Sequence, residues 1–462
     1  MHYISTRGRA PVLPFDEVVL AGLASDGGLY VPETIPHISP ATLSRWATLS
    51  YTELAVEVMH PFMGESFTRE ALTQMVNEAY GSFRHDSIAP ITQLSQRHFV
   101  LELFHGPTLA FKDFALQLLG RILDELLTRR DQHAVVLGAT SGDTGSAAIA
   151  GCAHSARMQS VILYPHGRVS DVQRRQMTTL GRANVHPLAL DGTFDDCQDI
   201  VKTLFSDAAF RSEVQLVAVN SINWARILAQ VVYYFYAAFA LGAPARRVSF
   251  SVPTGNFGDI FAGYIALRMG LPIEKLIIAT NRNDILTRCV QGGEYRMNGV
   301  HASLSPSMDI EISSNFERLL FDLHGRDGAL IGEKMQQFRA SKSLTLSASA
   351  HADLLQHFAA HTSDDAATLA TITRIHSSCG YTLDPHSAVG VAASEALLPS
   401  LAGPVITLAT AHPAKFPDAV VKATGIHPAL PAHLADLMER DENITPIAND
   451  LDAVKTYVRG LV

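Results

Sequence analysis

Apolar positions along this chain change period repeatedly, and the alternation predicts its architecture. Short β-branched or apolar runs at 133–138, 160–164, 248–252, 276–279 and 405–409 read as strands. Stretches with apolar residues three and four apart lie between them. The clearest comprises Phe114, Leu118, Leu119, Ile122, Leu123 and Leu126, which predicts an amphipathic helix opening directly after Lys112. A small-residue helix is expected from near Ser146. The run 227–241 predicts a buried helix, because Gln230 interrupts it and it falls short of the roughly 20 residues a membrane span needs. Strands alternating with helices imply βαβ units and parallel sheets.

Residues 1–95 differ, mixing short strand-like and helical pieces with proline-rich turns, and carry no evident chemistry. A structural N-terminal domain is expected there. Residues 96–132 and 240–462 are expected to form a large domain, and 133–239 a small α/β domain. Within the large domain, about 284–350 is richer in Ser, Arg and Asn with weaker periodicity, and reads as an inserted subdomain or lid.

Composition narrows the function classes. Hydrophobic content of 47% against 18% charged fits a globular protein with large cores. A net charge of −9 offers no broad basic surface, which argues against nucleic-acid and membrane partners and leaves local cationic pockets for anionic metabolites. Cys152, Cys197, Cys289 and Cys379 are scattered without a Cys-x-x-Cys pair, as expected in a reducing compartment. The N-terminus lacks the apolar core of a secretory signal, so a soluble, cytoplasmic protein is expected. His351, His357 and His361 are expected on one helix; without a His-Glu-x-x-His pattern or a carboxylate cluster they read as a solvated face, and no metal is expected. A Gly-x-Ser-x-Gly elbow is also absent, which argues against a serine hydrolase.

The candidate chemistry centres on His105-Gly-Pro-Thr-Leu-Ala-Phe-Lys112-Asp. Lys112 is expected at the positive end of its helix, where a cation is disfavoured and the neutral amine required for Schiff-base chemistry gains ground. Two further segments share the order strand, Gly/Ser/Thr/Asn turn, helix: Ala139-Thr-Ser-Gly-Asp-Thr-Gly145 and Pro253-Thr-Gly-Asn-Phe-Gly-Asp259. Glycine lets backbone approach a ligand, and N–H groups opening a helix attract anions. Neither segment is a Walker loop or a dinucleotide fingerprint. Each alone could be a tight turn; with a poised lysine, the pair suggests a phosphorylated cofactor and an anionic substrate. A third cluster, Asn220-Ser-Ile-Asn-Trp-Ala-Arg226, places an arginine beside amide and hydroxyl donors, a set suited to an oxyanion. Strand 405–409 runs into residues 410–416, where α/β folds place ligand groups.

At these residues the sequence resembles the threonine synthases, of the longer fungal and enterobacterial-like subgroup, within the fold type II pyridoxal-phosphate enzymes. The matching segments are 105–113, 139–145, 164–168, 220–226, 251–259, 384–390 and 410–416, together with 3–8 and 26–32. The resemblance implies an α/β fold like that of the tryptophan synthase β chain, with two parallel-rich sheet domains plus an N-terminal domain. It implies that Lys112 forms the Schiff base with pyridoxal 5'-phosphate. Gly255, Asn256, Phe257, Gly258 and Asp259 would hold the cofactor, its phosphate resting on backbone amides. Thr410 would bond the pyridine nitrogen, and Asp143 would lie near the phenolic oxygen. Ser141, Gly142 and Thr144 would take the substrate carboxylate; Asn220, Ser221 and Arg226, aided by Lys415, would grip its phosphate.

The activity implied is conversion of O-phospho-L-homoserine and water to L-threonine and phosphate, by a monomer or homodimer. A related lyase that releases 2-oxobutyrate is one alternative; a non-catalytic metabolite-binding protein of the same fold is another.

Overall fold

Two parallel-rich sheets organise the chain, which a computed structural model describes from residue 1 to residue 462. The larger sheet runs, edge to edge, Phe358–Thr362, Ile273–Thr280, Val248–Pro253, Val405–Ala409, His98–Glu102 and Ile91–Ser95. Its neighbours are parallel except Ile91–Ser95, which lies antiparallel to His98–Glu102. The smaller sheet is ordered Thr445–Ile447, Val185–Leu190, Met158–Pro165, Ala134–Ala139 and Leu216–Val217, all parallel. The five predicted strands are present with ends shifted by a few residues. They supply the centres of both sheets, where burial on two faces demands continuous apolar runs. Most of the strands without a clear signal lie at the edges: Ile91–Ser95 is only partly buried, and Phe358–Thr362 carries two alanines and a histidine.

Expected boundaries differ from the observed ones: Ile91–Ser95, expected in the N-terminal domain, is an edge strand of the larger sheet, and helix Trp224–Ala240, expected in the small domain, packs on helices Tyr51–Met63 and Lys112–Arg129. Residues 240–462 do not all belong with the larger sheet, because Thr445–Ile447 pairs with Val185–Leu190. The helix Leu451–Arg459 that follows buries Val454 and Val458 among Leu188, Leu190 and Cys197. Two valines four apart make an apolar stripe on one helix face, and the smaller sheet offers the surface that covers it.

A three-stranded antiparallel sheet, with His2–Ser5 between Leu13–Pro14 and Tyr30–Pro32, opens the chain. Helices Tyr51–Met63 and Arg69–Tyr80 follow; they pack respectively on the buried helix Trp224–Ala240 and on Lys112–Arg129. The segment 284–350 contributes the hairpin Glu294–Arg296/Ser343–Thr345 and helices Phe316–Leu323 and Gly328–Ser341. It is tied to the N-terminal sheet where Arg7 meets Glu317 at 2.8 Å and Thr6 donates to the same carboxylate at 2.7 Å. The three histidines do not share a helix: His351 and His357 lie on Ala348–His357, whereas His361 is on the edge strand Phe358–Thr362. No helix is long and apolar enough to cross a membrane.

Helix Lys112–Arg129 packs closely against helix Asp143–Cys152 through a glycine contact. A Cβ on Gly120 would stand 2.0 Å from the Gly151 carbonyl oxygen, and one on Gly151 would stand 2.3 Å from that of Leu116. Only glycine permits this approach. It brings together the helix starts that carry Lys112 and Asp143.

Candidate active site

A cavity of about 670 Å³ opens between the two sheets, at the carboxyl ends of their central strands. Crevices at that end of an α/β sheet are where ligand groups collect. Lys112 is the first residue of its helix and is buried, its Nζ lying 3.3 Å from Asp143 Oδ2 and 3.4 Å from Ser307 Oγ. Burial lowers the amine below the ordinary lysine value; Asp143 opposes the shift, while Lys415 and Arg226 add to it. Asp143 itself is ionised. Burial alone would raise its carboxyl, but Lys112, Lys415 and Gln173 outweigh that and hold it far below the usual range.

Lys415 differs from its expected place. It does not line the cavity; it is fully buried, 2.9 Å from Asp143 Oδ1, and it donates to the Thr108 carbonyl at 2.6 Å. Its charge is spent on the carboxylate beside Lys112 rather than on a substrate phosphate. Gln173 donates to the same Oδ1 at 2.8 Å.

The turn 139–145 sets Ser141 and Thr144 on the cavity wall, and neither hydroxyl has a hydrogen-bond partner in the protein. Gly142 is not on the wall. Its N–H is taken by Thr140 Oγ1 at 2.9 Å, and its φ of 146° with Gln173 only 2.4 Å from a built Cβ makes glycine obligatory there. Gly142 therefore shapes the turn and has no free donor.

The second turn is an open cradle. Phe257 adopts φ 64°, which aims the backbone into helix Gly258–Arg268, and the N–H groups of Gly255, Asn256, Phe257, Gly258 and Asp259 have no acceptor within the protein. A run of unpaired amides at a helix start suits a phosphate. A Cβ on Gly255 would lie 2.7 Å from the Ser307 carbonyl oxygen, so the loop is packed down by the inserted segment. The Asp259 side chain is bound elsewhere. Tyr233 and Tyr234 hydroxyls donate to its Oδ1 at 2.5 and 3.0 Å, and burial pushes its carboxyl up to about 6. Its offering to the cavity is the backbone N–H alone.

Arg226, buried on helix Trp224–Ala240, donates from Nη1 to the Val219 carbonyl at 3.0 Å, while its Nε has no partner. Burial pulls the guanidinium down to about 10, since no carboxylate faces it. An unpaired buried cation is costly, and an anion in the adjoining cavity would relieve it. Asn220 and Ser221 line the same wall.

Thr410 is buried at the end of strand Val405–Ala409. Its N–H donates to Ser387 Oγ at 3.1 Å and its hydroxyl makes no bond within the protein. The unpaired amides, the open Thr410 hydroxyl and the buried Lys112 amine together fit pyridoxal phosphate: a phosphate cradle, a ring-nitrogen partner and a carbonyl-reactive amine around one cavity.

Three nearby groups have no role in the sequence reading. His386 Nδ1 contacts Asp384 Oδ1 at 2.9 Å, and its Nε2 accepts the Ser307 N–H at 3.2 Å, which requires the Nδ1–H tautomer. An Asp-x-His step opening a helix was a usable signal for it. Ser307 lies in a segment without periodicity or motif, and Gln173 stands in a Ser-x-x-Gln step that marks a helix start rather than a ligand site.

Removal of the Asp143 charge should move Lys112 further down. In Asp143→Asn, the pH midpoint for capture of pyridoxal phosphate by apoprotein, followed by the near-visible band, is expected at lower pH than in the parent. The neutral amine is present above its pKa, so a lower pKa extends capture toward acid. An unmoved or higher midpoint would show that Asp143 does not set the charge on Lys112.

Residues 2–80 match the family signature "Threonine synthase N terminus", 87–410 "Pyridoxal-phosphate dependent enzyme" and 387–458 "Threonine synthase, C-terminal". A threonine synthase of Pseudomonas aeruginosa is 56% identical over 459 residues, covering 99% of this chain and 98% of that protein. The solved structure of pyridoxal-phosphate-bound threonine synthase from Brucella melitensis superposes with a TM-score of 0.97 at 53% identity, covering 100% of this chain and 99% of that one. Yeast threonine synthase superposes with a TM-score of 0.94 at 42% identity, covering 99% and 98%.

Proposed function

This chain belongs to the threonine synthase family of pyridoxal-phosphate-dependent enzymes, and from that premise we propose that its cavity converts O-phospho-L-homoserine and water to L-threonine and phosphate. The observation that carries the reading is the convergence of one buried amine and two anion-seeking loops on a single cavity.

Bound there, pyridoxal phosphate supplies an electron sink that makes protons on the substrate's carbon skeleton removable. The residues assigned to hold it are Lys112, the amides of 255–259 and the Thr410 hydroxyl, with Asp143 nearby. Lys112 Nζ is the group that takes and returns protons: once neutral, its flexible stem reaches successive carbons, and Asp143 stabilises the ammonium that forms after each removal. Ser307 Oγ, within reach of the same nitrogen, orients it.

Ser141 and Thr144, with the N–H groups at the start of helix Asp143–Cys152, receive the substrate carboxylate. Arg226, with Asn220 and Ser221, receives the phosphoryl group, holds it as it leaves and so keeps the departing phosphate beside the carbon that water must attack. A substrate lacking that group would leave Arg226 buried and unpaired, a penalty of roughly 3–5 kcal/mol that discriminates against serine and free homoserine.

Purified holoenzyme incubated with O-phosphohomoserine should release phosphate and threonine in equal amounts. Phosphate accompanied by 2-oxobutyrate would assign elimination without hydration, and release of neither product would end the proposal.

A further inference from the structure

We propose that Asn315, braced by Arg318, is a positioning residue that sets the distance between the cofactor loop and the substrate-phosphate loop, and so selects the length of the phosphorylated substrate. The proposal rests on the reading of 255–259 and 220–226 as two separate phosphoryl sites.

The two loops come from distant parts of the chain, and one residue bonds both. Asn315 is fully buried. Its backbone N–H donates to the Asn256 carbonyl at 3.1 Å; its Nδ2 donates to that same oxygen at 3.0 Å and to the Ser221 carbonyl at 3.1 Å. Without that amide, the Ser221 carbonyl would lose its donor and the two loops their only shared hydrogen-bonding group here, while the Asn256 carbonyl would keep the backbone N–H of residue 315. Asn256 belongs to the phosphate cradle and Ser221 to the Arg226 wall, so the reach of a single side-chain amide spans the gap between the sites.

Arg318 holds that amide in place. Its Nη1 donates to Asn315 Oδ1, its Nη2 to the Ile222 carbonyl at 2.7 Å and its Nε to the Tyr30 carbonyl at 3.0 Å; the guanidinium lies 5.7 Å from the Trp224 ring. Arg318 is fully buried, yet all three acceptors are neutral. The adjacent carboxylate, Glu317, is engaged by Arg7 and Thr6 instead. Desolvating a guanidinium without an opposite charge is expensive. Its geometry accounts for keeping it, since one planar fork reaches the N-terminal sheet, the substrate loop and Asn315 at once. The two side chains form a strut from Tyr30 through Ile222 and Ser221 to Asn256.

A strut of fixed length predicts a length preference. O-Phospho-L-serine is one methylene shorter than O-phospho-L-homoserine and should bind poorly while the spacing holds. Two variants of the holoenzyme test this. Asn315→Asp keeps an acceptor for Arg318 but replaces the bridging donor with oxygen; Asn315→Ala removes both. In each, kcat/KM for O-phosphohomoserine should fall about tenfold, the effect of one buried hydrogen bond left unmade. The preference for O-phosphohomoserine over O-phosphoserine, taken as the ratio of KM to the competitive inhibition constant, should narrow by a similar factor. The cofactor dissociation constant should change less than about threefold, because the backbone N–H of residue 315 still tethers Asn256.

Activity lost with the preference unchanged would reduce Asn315 to a packing role and overturn the proposal. So would cofactor loss in proportion to activity, or failure of Asn315→Asp to fold although Arg318 keeps its acceptor. Inhibition by inorganic phosphate, compared between the parent and Arg226→Ala, separates the underlying reading: if that variant is inhibited as strongly as the parent, residues 220–226 are not the phosphate site, whatever Asn315 does.

Discussion

Lys112→Ala is expected to lower kcat by about 10⁴-fold or more, the scale of losing a proton-transfer group, with the covalent attachment lost as well. The cause is local. Lys112 is the amine beside Asp143 and Ser307, and the nearest other lysine, Lys415, is fully buried and held by Asp143 and Thr108. Lys415 cannot substitute without abandoning both. The variant should therefore show only the absorbance of free pyridoxal phosphate, without the shifted band of the covalently attached cofactor, and borohydride should leave no pyridoxyl group on the protein. A yellow, active Lys112→Ala would refute the assignment.

Arg226→Ala is expected to raise KM for O-phosphohomoserine by about 10–100-fold, corresponding to the ~1.5–3 kcal/mol of a hydrogen bond to a charged group. Cofactor affinity should be nearly unchanged, since the cradle amides at 255–259 do not depend on this side chain. Stability should not suffer in proportion. The parent carries a buried guanidinium with one unpartnered nitrogen, and removing it relieves a desolvation penalty. Isothermal titration with pyridoxal phosphate, steady-state kinetics and a denaturant melt distinguish these effects. Equal losses of substrate and cofactor affinity would place Arg226 in the cofactor site instead.

The site's framework was legible in the sequence because its chemistry sits at strand-to-helix turns. There an apolar run, a glycine and a helix start fall within a few residues, and position follows from local pattern. Lys112, the 139–145 turn and the 255–259 turn all obey this rule, and the structure brings them to one cavity. What failed was side-chain direction. Lys415 lies in the right turn but reaches back to Asp143 and the Thr108 carbonyl, a choice set by residues far away in sequence. Ser307 and Asn315 were invisible for a related reason. Their segment has little periodicity of its own and is positioned by contacts to Gly255, Asn256 and the N-terminal strands. The same non-locality hid the edge strand Thr445–Ile447, too short to register alone.

That edge strand has a consequence for biogenesis. The smaller sheet acquires its outer strand, and the two valines that roof Leu188 and Leu190, from residues 445–458, which are made only after every strand of the larger sheet. Until then Val185–Leu190 presents an unpaired, apolar margin, open to capture by other nascent chains. Stalled or prematurely terminated translation products should thus be the species most in need of chaperone attention.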